Sequence, residues 1–205
     1  MGRHGIVSIA HVMEAMGVGR TAAYRRVATC AEAGLLERIE VLRSEPTLLR
    51  ATRDGLAYAG LPFPVAEISP ATVTHSLRCV SAARVLCGVH GPEHVLTERE
   101  IVYAERIEDR PLASATVGFL PSGASRLHRP DLAILKDGEI VSIEIELTAK
   151  SPRRLAKIMR AWRVADWVGK VVYACPPGGT RRAVKRAIKV AAAQGKVGVA
   201  EEVPW

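Results

Sequence analysis

The stretch that decides the fold reads DLAILKDGEIVSIEIELTAK and runs from Asp131 to Lys150. Two apolar segments rich in strand-forming residues flank Lys136-Asp137-Gly138, a sequence typical of a turn. The pattern predicts one strand over 132–135 and a second over 139–147. Residues two apart share a face of a strand. We therefore expect Glu144, Glu146 and Lys150 to lie on one face of the second strand.

The elements around these two strands alternate between helices and strands. Upstream, the sequence predicts a helix from Ser69-Pro70 to Gly88, a strand over 94–103 and a loop containing Pro121-Ser122-Gly123. Downstream, it predicts a helix opened by Ser151-Pro152, a strand over 170–175, a helix over 180–194 and a last strand over 197–201. This order predicts an α/β (α+β) domain with a mixed sheet.

The first 62 residues predict a separate helical unit. A helix over 8–16 is broken by Gly17-Val18-Gly19 and followed by a helix over 20–33, which Gly34 ends. Two alternating segments, 37–43 and 48–51, are joined by 44–46 and precede a short helix over 52–60. Helix, turn, helix and hairpin is the order of a winged helix-turn-helix. The link Leu61-Pro62-Phe63-Pro64 sets the predicted boundary between domains 1–62 and 63–205.

The second helix of this unit carries four polar residues on its outer face. They are Arg20, Thr21, Tyr24 and Arg25. Arginine can pair with guanine, and the two hydroxyls suit phosphate, at the start of a helix that enters the major groove. We expect these residues to bind DNA; the alternative is an ordinary solvated helix face.

Length and composition exclude several classes of protein. The chain has 205 residues, 48% of them apolar and 24% charged, as in an ordinary globular protein. The longest apolar run, Gly55 to Leu61, has seven residues, and no signal peptide begins the chain. Four cysteines show no metal-ligand spacing, and we expect reduced core residues. We therefore expect a cytoplasmic protein that does not bind membranes.

The net charge of +8 favours a polyanionic partner, and its distribution is uneven. Between Lys150 and Lys189 there are twelve basic residues and one acid, Asp166. Seven of them, on the two C-terminal helices, are predicted DNA contacts: Arg153, Arg154, Arg181, Arg182, Lys185, Arg186 and Lys189. The alternative is a solvated basic face. Trp162 and Trp167 are expected in the core or on a dimer surface, which leaves a homodimer open.

Three acidic residues form the second predicted site. Glu144 and Glu146 share a strand face, and Asp131 precedes the neighbouring strand. Carboxylates in this arrangement suit Mg²⁺ or Mn²⁺. The alternative is a solvent-facing strand with alternating charge. Carboxylates that converge also repel one another, and a bound cation, a raised pKa, Arg129 or Lys150 would offset that repulsion.

Three segments of the chain resemble the replication-relaxation family of actinobacterial plasmids, phages and other mobile elements. They are TEREI (97–101), RPDLAIL (129–135) and IEIELTAKS (143–151), and His75-Ser76-Leu77 also fits. The resemblance implies an N-terminal winged helix that binds DNA and a C-terminal domain like the PD-(D/E)xK, or restriction-endonuclease-like, fold.

The resemblance also implies roles for the acidic residues. Pro130-Asp131 matches the PD of the motif and Glu144 its acidic position, while Glu146 stands where a lysine is expected. The predicted catalytic and metal-binding residues are therefore Asp131, Glu144 and Glu146. Lys150 is a further catalytic candidate, about 13 Å along the predicted strand at ~3.3 Å per residue.

Two functions follow as expectations. The first is a sequence-specific protein that binds double-stranded DNA in replication control or as a repressor, with the nuclease-like domain as a second DNA-binding or assembly module. The alternative is an endonuclease or nickase dependent on Mg²⁺ or Mn²⁺.

Overall fold

The computed structural model describes residues 1–40 and 47–203. The chain divides into two compact units, Met1–Arg84 and Val85–Trp205. The division falls within a helix, beyond the link over 61–64 on which the sequence placed the boundary. The structure is a mixed α+β fold with helices and both mixed and antiparallel sheets.

The first unit is built from short helices and a small antiparallel sheet. In chain order, its elements are β1 (Ile6–Ser8), α1 (Ile9–Met16), α2 (Arg20–Glu32), β2 (Leu36–Ile39), β3 (Leu48–Ala51), α3 (Arg53–Tyr58) and the first part of α4 (Val73–His90). The sheet order is β1-β3-β2, with Leu36 opposite Ala51 and Ile6 opposite Arg50. The predicted helices over 8–16 and 20–33 and the strand over 48–51 are confirmed. The sequence does not predict β1. The predicted strand over 37–43 corresponds to β2 up to Ile39, while its residues 41–43 and the predicted turn over 44–46 lie outside the described residues.

The core of the first unit extends past residue 62. Val73 packs with Ile6 and Leu48, and Val80 packs with Val7 and Val27. Both valines belong to α4, so a fragment that ends at the Pro-containing link would lack two residues of this core. Gly17, at φ +60°, ends α1 and lets the chain turn into α2.

The second unit surrounds a five-stranded sheet. Its elements after α4 are β4 (Val95–Thr97), α5 (Glu98–Glu108), β5 (Ala115–Phe119), β6 (Ser125–His128), β7 (Leu132–Lys136), β8 (Glu139–Ile145), α6 (Pro152–Val164), β9 (Lys170–Ala174), α7 (Gly179–Val190) and β10 (Val197–Val199). The sheet order is β10-β9-β8-β7-β4, while β5 and β6 form a separate hairpin. The three strands β8, β9 and β10 are parallel, and β7 and β4 are antiparallel, so the predicted mixed sheet is confirmed.

The largest core cluster of this unit lies between the sheet and α6 and α7. Trp162 and Leu155 of α6, Val184 of α7 and Tyr173 of β9 are almost completely buried there. α6 begins at the predicted position, and α7 begins one residue before and ends four residues before the predicted bounds of 180–194. Ser151 caps α6 by accepting a hydrogen bond from the Arg154 N–H, and Pro152 occupies the first helical position.

Two predicted boundaries are wrong, the end of β4 in the second unit and the start of α4 in the first. The strand expected over 94–103 is three residues long, because Thr97 begins a helix in its place. The Thr97 N–H donates to the Glu100 carboxylate, half of a capping box that favours α5 over a continued strand. Ser69-Pro70 does not open a helix either: α4 begins at Val73, and the Ser69 carbonyl accepts the Thr72 N–H in a turn.

The loop predicted around Pro121-Ser122-Gly123 is the tip of the β5–β6 hairpin. All four cysteines are free; Cys175 is fully buried, and Cys30 packs partly buried against the core of the first unit. In the part of the chain that is described, no helix combines the length and apolar character needed to cross a bilayer.

Candidate functional site

The β7–β8 hairpin places Asp131 beside the end of β8 that carries Glu144. Asp137 and Gly138 both have positive φ, at +52° and +79°, and close the tight turn that pairs Leu132 with Ile143. Asp131 immediately precedes β7, and its carboxylate accepts the Ile145 backbone N–H at 2.6 Å. The side chain of Asp131 is therefore bound to the strand that carries Glu144.

Glu144 lies under α6 rather than on a solvent-facing edge. It is paired across the sheet with Tyr173, so both side chains point to the face that α6 covers. Only 4% of Glu144 is exposed. The alternative of a solvent-facing strand with alternating charge is therefore wrong at this position.

The group that contacts Glu144 is a histidine. His128 Nε2 lies 2.7 Å from Glu144 Oε1, and its ring meets the edge of Trp162 at a centroid distance of 5.7 Å. Both atoms are buried, and neither has a well-oriented hydrogen bond to any described residue. The contact therefore has the distance of an ion pair without the alignment of a hydrogen bond.

Burial dominates the electrostatics of Glu144. Loss of solvation raises the pKa of the Glu144 carboxyl, the proximity of His128 opposes the rise, and Asp131 adds to it. The same burial raises the pKa of the Cys175 thiol to about 11, with Glu146 as the next cause. Both groups are thus held towards their neutral forms.

Glu146 and Lys150 are in direct contact, which corrects the predicted separation of about 13 Å. β8 ends at Ile145, so residues 147–150 turn back instead of extending the strand. The Lys150 ammonium group donates to the Glu146 carboxylate, which is 2% exposed. Lys150 thereby supplies a positive charge next to Glu146.

Arg129 does not serve the acidic site in the way the sequence suggested. Its guanidinium Nε lies 3.4 Å from Glu105, a buried residue of α5. The Glu105 carboxylate also accepts the backbone N–H groups of Leu112 and Ser114. Arg129 therefore ties the segment between β6 and β7 to α5, while Glu105 itself holds the segment before β5. At the acidic site, Lys150 contacts Glu146 and His128 lies beside Glu144.

The donor chemistry of the three predicted acidic residues suits a divalent cation, but among the described residues their oxygens do not all lie within 4.8 Å of one another. Asp131, Glu144 and Glu146 supply carboxylates, the ligands that Mg²⁺ and Mn²⁺ prefer. Glu144 Oε1 is a buried acceptor that a cation would satisfy. Such a cation would compete with His128 for Glu144 and with Lys150 for Glu146.

His128 is the site residue to which sequence reasoning assigned no role. The available signal was its place in His128-Arg129-Pro130-Asp131, directly before the motif. Its contact with Glu144 depends on the β5–β6 hairpin, in which His128 pairs with Ala115, and that hairpin was not predicted.

The predicted DNA-contacting residues of the first unit are on the surface. Arg20, Thr21, Tyr24 and Arg25 are all exposed along the first two turns of α2. The Arg20 guanidinium lies 5.5 Å from the centre of the Tyr24 ring, within the range of a cation–π contact. Ala23 and Val27 of the same helix are buried.

The basic residues of α6 and α7 lie opposite the buried faces of the two helices. The exposed residues on this side include Arg153, Arg154, Lys157, Arg160, Arg182, Lys185, Arg186 and Lys189. Between the helices lies a groove of about 380 Å³ with Leu155 and Ala187 in its lining and Arg182 and Arg186 among its charged residues. We call this surface, with the groove, the basic face.

Arg181 differs from the other predicted contacts. Its guanidinium donates to the Cys175 carbonyl at 2.8 Å and 3.2 Å and to the Glu201 carbonyl at 3.1 Å. These bonds hold the segment after β9 against the C-terminal residues. Trp162 is in the core, as predicted, and the partly exposed Trp167 donates its indole N–H to the Ser114 carbonyl.

No family model, no curated protein and no solved structure matches this chain.

Proposed function

We propose that this protein binds double-stranded DNA through two surfaces. The basic face of α6 and α7 contacts phosphates, and the exposed start of α2 contacts bases. The observation that carries the proposal is the difference in character between the buried and the exposed sides of α6 and α7. One side packs on the sheet, and the other presents cations along helices of 13 and 12 residues that contain no acid.

Charges of one sign on a helix face repel one another unless counterions or a polyanion neutralise them. A solvated face that serves stability alone gains from alternating acids and bases. The basic face lacks that alternation. Phosphate binding makes direct use of a row of cations, because each phosphate that a cation neutralises releases condensed counterions from DNA.

The first unit supports a role in sequence recognition. Its order of helix, turn, helix and antiparallel hairpin is consistent with a winged helix-turn-helix. Arg20 and Arg25 lie at the start of the second helix, where such units place side chains against base edges. The second unit then acts as a second DNA-binding or assembly module, and its sheet is consistent with a nuclease-like fold. The resemblance to mobile-element proteins suggests replication control or repression as the context.

The test is the salt dependence of DNA binding. Each lost phosphate contact should reduce the slope of log K against log salt by roughly 0.9. Changing Arg182, Arg186 and Lys189 to glutamate should weaken binding to every DNA sequence and flatten that slope. The control is the same reversal at Arg106, Arg110 and Lys136, on or near α5 and the β7–β8 turn.

Both triple variants have the same net charge, since three reversals change +8 by −6 to +2. If they lose affinity equally, net charge alone drives binding and the basic face has no special role. If neither loses affinity, the proposal fails.

A second function is favoured by the contact between Lys150 and Glu146. Together with Asp131 and Glu144, this pair would supply two elements of a hydrolytic site, carboxylate ligands and an ammonium group, near the end of β8. Asp131, Glu144 and Glu146 would hold Mg²⁺ or Mn²⁺, which would lower the pKa of a water molecule and stabilise negative charge on a phosphodiester. Lys150 would add positive charge near the same phosphate.

Cleavage of supercoiled plasmid tests this second function. Nicking or linearisation that requires Mg²⁺ or Mn²⁺ and is lost in both Asp131→Asn and Glu144→Gln would establish a nuclease. The control is Asp137→Asn, an acidic residue of the β7–β8 turn outside the site. Activity that survives both site variants would come from a contaminant.

A further inference from the structure

We propose that the tip of the β5–β6 hairpin inserts between base pairs and kinks the bound DNA. The inference rests on the proposed DNA binding and adds a way of contacting DNA that the basic face does not provide. It is carried by two consecutive apolar side chains at the tip. Phe119 is 73% exposed and Leu120 is 47% exposed.

The hairpin is built so that these side chains project from it. Ala115 and Val117 pack with the α6 core, which anchors the base of β5. The pairing register shifts between Thr116 and Gly118, and Gly118 has φ +148°, so a bulge redirects the strand just before Phe119. The turn closes through the Gly123 N–H, which donates to the Leu120 carbonyl, so the tip keeps its own hydrogen bonds.

The surroundings of the tip are cationic. No aspartate or glutamate occurs from Pro111 to Pro130. Arg126 is exposed and pairs with Gly118 across the hairpin, and a Cβ added to Gly118 would lie 3.8 Å from Lys157 Nζ. Lys157 belongs to the basic face, so the hairpin tip lies at one edge of the surface proposed to contact phosphates.

An exposed aromatic and a leucine flanked by cations fit duplex DNA as a partner. Apolar wedges of Phe and Leu part base steps in proteins that bend DNA, while neighbouring cations contact the phosphates on either side. Exposed phenylalanine in water costs solvation free energy, and stacking against bases removes that cost. The hairpin also ends at His128, so a wedge at the tip would place DNA about 13 Å along β6 from the acidic site, at ~3.3 Å per residue.

Two measurements with the full chain test the wedge. The first is energy transfer between dyes at the ends of a duplex of about 30 base pairs, which reports bending. The second is the fluorescence of 2-aminopurine in the same duplex, which rises when a base step is unstacked. Wild-type protein should bend the DNA by at least about 20° and raise the fluorescence.

The double change Phe119→Ser with Leu120→Ser should remove both signals. It should weaken affinity about 5-fold or more, since one lost stacked base is worth that much. The slope against log salt should stay unchanged, because the tip carries no charge. The control Ile107→Ser removes from α5 an apolar side chain that is 64% exposed, between the values of Leu120 and Phe119, and should change neither signal nor the affinity. Phe119→Trp keeps a ring at the tip and should keep both signals.

The outcomes separate this inference from the proposed function. Wild-type protein that binds DNA without bending or unstacking it overturns the wedge and leaves DNA binding intact. The wedge is equally overturned if the double change alters neither signal. If the wild type does not bind DNA at all, both proposals fail. The double change could instead leave DNA affinity, bending and unstacking unchanged and abolish binding to phosphatidylcholine–phosphatidylserine vesicles. In that case the tip contacts membranes and the wedge is wrong.

Discussion

Replacing Lys150 by methionine tests the ion pair that organises the acidic site. The change keeps the length of the side chain and removes the charge that contacts Glu146. Removing one partner of a fully buried pair costs about 3–5 kcal/mol, whereas exposed pairs are worth about 0–1 kcal/mol. Glu146 is 2% exposed and Lys150 is 28% exposed at the side chain, so this pair lies between the two limits. We expect Lys150→Met to lower the free energy of unfolding by about 2 kcal/mol.

The assay is urea unfolding at pH 7 with a double-mutant cycle. Glu146→Gln alone should cost less, because Lys150 can turn to solvent, and the double variant should recover part of the loss. The coupling free energy should be about 1–2 kcal/mol. Lys136→Met, an exposed lysine of the β7–β8 hairpin, serves as the control and should change stability by no more than about 0.5 kcal/mol. If Lys150→Met lowers the free energy of unfolding by no more than this control does, or if the coupling free energy is near zero, the reasoning is refuted.

Three further predictions concern the acidic site and the start of α2. Because burial raises the pKa of Glu144, the folded protein holds that proton more tightly than the unfolded chain. The stability that protonated Glu144 contributes is therefore fully present below the pKa of this carboxyl in the unfolded chain. It is lost as the pH rises through the pKa of the same carboxyl in the folded protein. Urea titrations from pH 4 to pH 8 should show that loss in the wild type and not in Glu144→Gln. Mg²⁺ or Mn²⁺ at about 100 times its Kd should stabilise the wild type by about 2.7 kcal/mol and leave Asp131→Asn unchanged; equal melting temperatures would exclude a metal there. Arg25→Ala should cost about 1–3 kcal/mol on the preferred DNA site and much less on random DNA, and equal losses in a binding titration would mark a phosphate contact.

Local signals account for the elements that were predicted correctly. Ser151-Pro152 is an N-cap with proline at the first helical position, and the apolar spacing from Leu155 to Trp162 continues one face of α6. Asp137-Gly138 supplies two residues that tolerate positive φ, which closes the β7–β8 hairpin. Each of these signals acts within a few residues, so it can be identified without knowledge of the fold.

The sequence predicts the wrong secondary structure where two local signals compete, or where contacts with distant segments of the chain stabilise an element. The strand-forming residues after Thr97 favoured a long strand, but the Thr97–Glu100 cap made them helical. The sequence does not predict β5 and β6, because Gly118, Pro121 and Gly123 interrupt the alternation of apolar and polar residues that indicates a strand. Their strand structure is stabilised by packing on α6, which no local pattern records.

The sequence by itself determined the two basic helices and the β7–β8 hairpin, which places Asp131 beside the strand of Glu144, because periodicity, caps and turns are properties of neighbouring residues. Only the tertiary structure decided which charges meet. Lys150 reaches Glu146 because the chain turns back after Ile145, and His128 reaches Glu144 because a hairpin packs against α6. Arg129 contacts Glu105 because the packing of distant segments places α5 next to it. A buried charge pairs with whichever opposite charge the packing of distant segments brings within a few ångströms, and spacing along the chain carries no measure of that distance.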